Sequence, residues 1–80
     1  MTSIKYMKDI YNVKYSIGDL IYSIATKEFA IITRIGIRRY DEDIIEAYWT
    51  QEQYYRLHFT IEICEAIDQH AYIHYPSGKQ

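Results

Sequence analysis

Phe29-Ala30-Ile31-Ile32-Thr33-Arg34-Ile35-Gly36-Ile37 decides the reading of this chain. Its β-branched residues Ile31, Ile32, Thr33, Ile35 and Ile37 suit a pleated surface and predict a strand. Gly36 inside the run predicts a bulge or bend. Arg38-Arg39-Tyr40-Asp41-Glu42-Asp43 follows, carrying both signs of charge and no aliphatic residue, and is expected to form the exposed tip of a hairpin. The chain then returns through Ile44–Thr50. There Ile45, Ala47 and Trp49 share one face, while Ile44, Glu46, Tyr48 and Thr50 share the other, mixed face of a sheet partly open to water.

Working outward, Gly18-Asp19 is a turn signal, and Leu20–Ala25 reads as a strand with Leu20, Tyr22 and Ile24 on one face. Thr26-Lys27-Glu28 reads as a polar loop. Gln51-Glu52-Gln53 breaks the pattern, with Thr50 and Gln53 at capping-box spacing. From Tyr54 to Thr60 the period is two: Tyr55, Leu57 and Phe59 alternate with Arg56, His58 and Thr60. Ile61, Ile63, Cys64 and Ile67 then recur at spacings of three and four, predicting one or two helical turns of α or 3₁₀ type. Ala71–Tyr75 reads as a last short strand, and residues 76–80 as a flexible tail. In residues 1–16, Ile4, Met7 and Tyr11 have helical spacing, so this segment is read as a short helix, with an irregular arm or an extra strand as the alternatives. The fold class expected is mainly β: five short strands between Ile17 and Tyr75, with a helical turn before the last.

Eighty residues make a single small domain that buries only about 60–65% of its unfolded surface. With 49% hydrophobic and 25% charged residues, the composition is that of a folded chain. A net charge of −2 argues against binding dominated by attraction to nucleic acid or an anionic membrane. Cys64 is the single cysteine, which leaves no internal disulfide and, with no signal peptide in view, points to a reducing cytoplasmic setting. No apolar run approaches the roughly 20 residues of a membrane span.

Cys64, His70 and His74 have a spacing that resembles a partial metal site, but no second cysteine completes a tetrahedral set, so no metal or other cofactor is expected. Cys64 with His58 or His70 could in principle form a nucleophile and base, yet its apolar neighbours point to a buried, inert thiol. The carboxylates at 41–43 are expected to stay solvated and to pair across the turn with Arg38 and Arg39. The ten tyrosines are more telling. Trp49 and Tyr55 are assigned to the core. Arg38, Arg39, Tyr40, Tyr48, Tyr54 and Arg56 are the candidate contact residues, because Tyr and Arg dominate protein–protein hot spots. An AT-rich genome, which favours Ile, Tyr and Lys codons, would explain part of the same bias.

The order of elements resembles an SH3-like barrel, the small, partly open barrel of SH3, Tudor and KOW-type modules. Gly18-Asp19-Leu20-Ile21-Tyr22 looks like the opening of the first strand of such a barrel. Ala30–Ile35 resembles its second strand, and Ile44–Trp49 its third, which often ends near Trp. The layout is also similar to short accessory proteins of tailed phages. The resemblance implies a non-enzymatic protein-binding module, acting on a host protein in the host cytoplasm. The Ile-rich edges and small core point as well to a homo-oligomer. The alternatives are a single-stranded nucleic-acid binder, in which the aromatics stack bases, and a structural part of a virion.

Overall fold

The computed structural model describes residues 14–77. Strand β1 is Leu20–Ser23, β2 is Glu28–Arg39, β3 is Glu42–Trp49 and β4 is Tyr54–Phe59. Helix α1 is Thr60–Asp68, and β5 is Tyr72–Tyr75. The strands form one antiparallel sheet in the order β4-β3-β2-β1-β5, which is not closed, so β4 and β5 are its edges among the described residues. The mainly β reading, with five strands and a short helix before the last, therefore holds. The helix or arm expected over residues 1–16 lies almost wholly outside the described residues.

The turns are built by residues forced into the left-handed region. The expected tip at 38–43 narrows to Tyr40-Asp41, because Arg39 pairs with Glu42 and Arg38 with Asp43. Tyr40 (φ 54°) and Asp41 (φ 60°) both have positive φ, the signature of a type I′ turn, whose twist matches that of the flanking strands. The expected pairing across this turn is made by Arg38, whose Nη1 lies 2.9 Å from Asp43 Oδ1. Gly36 (φ 75°) sits where the β2–β3 register slips, as its position predicts; a further slip falls between Ile32 and Arg34. The two slips bend the long β2 strand.

The core lies on one face of the sheet. Ile21, Ala30, Ile32, Ile45, Ala47 and Trp49 point inward, and Ile63 of α1 closes over them, with Tyr15, Ile67 and Tyr72 packed against the cluster. In β1 the inward face is therefore Ile21 and Ser23, leaving Leu20 and Tyr22 outward.

The helix exceeds the one or two turns expected. It ends in a Schellman motif: Ala71 N–H bonds Ala66 O at 2.8 Å, His70 N–H bonds Ile67 O at 3.0 Å, and His70 takes the left-handed conformation (φ 64°). The supposed capping box at Thr50 and Gln53 starts no helix. Thr50 Oγ1 instead donates to Phe29 O at 2.8 Å, and Gln53 N–H closes the β3–β4 turn on Trp49 O at 2.7 Å. Glu28, read as loop, begins β2 and is buried; its carboxylate accepts the Glu52 N–H at 3.1 Å and so ties the β1–β2 turn to the β3–β4 turn.

Candidate functional site

The face of the sheet opposite the core carries an unbroken cross-strand row. Register pairs Tyr75 with Leu20, Leu20 with Ile31, Ile31 with Tyr48, and Tyr48 with Tyr55, so one apolar or aromatic residue from every strand falls in line. A second row, Ile73–Tyr22–Phe29, runs beside it on three strands. Opposed residues in an antiparallel pair share a face and sit close enough to pack. The opposed rings do so, Tyr22–Phe29 at 4.7 Å and Tyr48–Tyr55 at 4.9 Å between centroids, and Phe29 and Tyr75, from the strands on either side of β1, lie 6.2 Å apart. Along these two rows the face stands open, whereas toward the β2–β3 tip Ile44, on the same face and opposite Phe59, is buried. Phe29, Ile31, Ile73 and Tyr75 are all exposed, and Tyr55 is 62% exposed.

That exposure corrects the assignment of Tyr55 to the core. Alternation in β4 revealed two faces but not which one turns inward. The register puts Tyr54, Arg56 and His58 on the core side, opposite Trp49, Ala47 and Ile45, and turns Tyr55, Leu57 and Phe59 outward. Trp49 is buried as expected, and its indole Nε1–H donates to His58 Nε2 at 2.9 Å. Burial, and then the nearby Arg56 charge, hold the His58 imidazole below its ordinary value.

The six contact residues read from the sequence do not form one surface. Arg38, Arg39 and Tyr40 stand at the β2–β3 tip, where Tyr40 is 86% exposed. Tyr54 and Arg56 lie at the far end of β3, where Tyr54 pairs with Trp49 and the Arg56 guanidinium rests 5.5 Å over its ring. The eight residues of β3 separate the two groups by about 25 Å at strand spacing. Tyr48 alone of the six belongs to the outward rows. Sequence reasoning missed Leu20, Ile31 and Tyr75, because their alignment exists only in the pairing register.

A buried polar cluster joins the two ends of the described chain. Asp19 is 2% exposed, and its carboxylate accepts three hydrogen bonds. Oδ2 accepts from Ser16 N–H at 3.0 Å and lies 2.8 Å from His74 Nε2; Oδ1 accepts from Ser77 N–H at 2.7 Å. Burial works to raise the carboxyl, but the hydrogen bonds from His74, Ser16 and Ser77 outweigh it and hold Asp19 below its ordinary value. Ser77, in the segment read as a tail, is thereby held to the residue before β1. The Tyr15 ring packs tilted against His74, 4.8 Å between centroids, and its hydroxyl meets Cys64 Sγ at 3.3 Å. Burial, with Cys64 adjacent, pushes the Tyr15 phenol far above its ordinary value.

Cys64 and His74 thus meet only through Tyr15, with His74 bound to Asp19, while His58 is engaged apart with Trp49 and His70 is exposed at the helix end. Among the described residues, no three His, Cys, Asp or Glu side chains gather as metal ligands. No described helix is long and apolar enough to cross a membrane. Comparison of the chain with protein-family models, with curated proteins and with solved structures finds no match.

Proposed function

We propose that this chain is a non-enzymatic protein-binding module of SH3-like architecture, and that it binds through the outward face of its sheet. The observation that carries this reading is the five-strand row Tyr75–Leu20–Ile31–Tyr48–Tyr55. A contiguous exposed apolar patch on a small domain marks an interaction site. Tyrosines suit such a site because each buries a large area at the cost of few rotors. The strand order and the helix before β5 support the SH3-like reading. A host protein as partner follows from the resemblance to phage accessory proteins.

Tyr40 supplies a second, smaller contact. A bulky, almost fully exposed aromatic in a left-handed turn position works against local backbone preference, and such residues concentrate at functional sites.

The test is affinity capture from host lysate with mass spectrometry, comparing the native chain with Ile31→Glu. Ile31 is at the centre of the row and exposed, so the charge interrupts the patch without entering the core. Partners retained by the native chain and lost by the variant support the proposal. Identical retention by both chains overturns it. Titration with short single-stranded DNA and RNA at two salt concentrations tests the nucleic-acid alternative, which requires binding that weakens steeply with salt.

A further inference from the structure

The two edges of the sheet are unequal. β5 has four residues, with α1 packed against it and the following Ser77 held by Asp19. β4 has six residues, Tyr54–Phe59, and pairs with β3 in unbroken register; α1 touches it too, but no described strand pairs with its other side. Natural edge strands are usually shielded by lysine, proline, a bulge or a charge turned inward. β4 has no lysine, proline or bulge. Of these devices it has only the inward charge of Arg56, whose guanidinium lies 5.5 Å over the ring of Tyr54 on the same strand.

We propose that β4 is a self-association edge: two copies pair antiparallel through it about a twofold axis centred on Leu57, joining their sheets into one of ten strands. The occupant is a second copy because the strand is complementary to itself in this register. Opposed residues must share a face, which limits the twofold to centring on a residue. Centring on Leu57 sets Leu57 against Leu57, Tyr55 against Phe59, and Arg56 against His58. The outward face then gains two aromatic pairs and an aliphatic one, of the kind that stabilise sheets. The inward face opposes arginine only to an imidazole that burial already keeps neutral. Centring on Arg56 would set two guanidinium groups against each other, which is destabilising. The pairing also covers Leu57, 47% exposed in the single chain, and continues the outward aromatic face across both copies. Strands this short cover roughly several hundred Å² per copy, the low end for specific interfaces, so the dimer is reversible and concentration-dependent.

This inference deepens the protein-binding reading and rests on it, but it uses the edge of the sheet rather than its face. Directly opposed residues have Cα atoms about 4.5–5.5 Å apart, within disulfide reach. Leu57→Cys is therefore expected to form a covalent dimer under mild oxidation. Tyr55→Cys alone is expected to cross-link far less, but to link readily when mixed with Phe59→Cys. The native chain, with Cys64 buried, gives the baseline. Sedimentation over a wide concentration range should show a dimer that Leu57→Lys abolishes while circular dichroism shows an intact fold. Ile31→Glu should still dimerise, so loss of partner capture and loss of dimerisation report on separate surfaces. A native chain that stays monomeric throughout, or Leu57→Cys that cross-links no faster than Tyr55→Cys alone, overturns the proposal.

Discussion

Replacing Asp19 by asparagine keeps the shape of the side chain and changes only its charge and one of its two oxygens. In the native chain both oxygens accept, taking hydrogen bonds from Ser16 N–H, Ser77 N–H and the His74 ring. Either orientation of the amide turns an NH₂ donor toward at least one of these donors. One charge-assisted bond is then lost outright and the others lose their ionic character, at about 1.5–3 kcal/mol for a bond to a charged group. A total near 3 kcal/mol is expected, against about 4–12 kcal/mol for a domain of this length. The melting temperature should fall by roughly 12–24 °C. The assay is urea denaturation of both chains from neutral pH downward. The folded-state value of Asp19 lies below the ordinary 3.8, so its contribution is complete above 3.8 and is lost as pH falls through the folded value. The asparagine chain has no such group, so the two stability curves should converge in acid. A difference under about 0.5 kcal/mol at neutral pH, or a gap that does not narrow on acidification, would refute the reasoning.

Two further outcomes are expected. Tyr40→Asn with Asp41→Gly places the preferred type I′ pair in the β2–β3 turn and relieves two left-handed side chains; stability should rise by roughly 1–2 kcal/mol, read as an increase in melting temperature, while partner affinity should fall if the proposed Tyr40 contact is made. The His58 ring should titrate below 6.5 by NMR, and Arg56→Gln should move it back toward 6.5. Because the folded value is depressed, stability carried by the neutral ring is present above 6.5 and erodes as pH falls below it, with Trp49 fluorescence changing as Nε2 stops accepting the indole N–H. A midpoint at or above 6.5 would refute the burial argument for this ring.

The sequence by itself determined the elements that depend on local chemistry. The β-branched run at 29–37, the Gly36 irregularity, the inward face Ile45–Ala47–Trp49, the period-two stretch at 54–59 and the helical spacing after Ile61 were all legible, because each reflects backbone preference or periodicity within a few residues. In β3 the mixed composition of one face ranks the two, but in β4 both faces carry aromatic residues and only tertiary structure decides which turns inward. Periodicity there separates two faces without ranking them, so Tyr55, expected in the core, emerges 62% exposed. Register decided the surface: Tyr75, Leu20, Ile31, Tyr48 and Tyr55 come from five strands and align only when those strands pair. Asp19 shows the same limit. As a turn residue it was readable from Gly18-Asp19, but two of its carboxylate's partners, His74 and Ser77, lie 55 and 58 residues away. No local pattern encodes such a contact, because it forms only once the first and last strands are side by side.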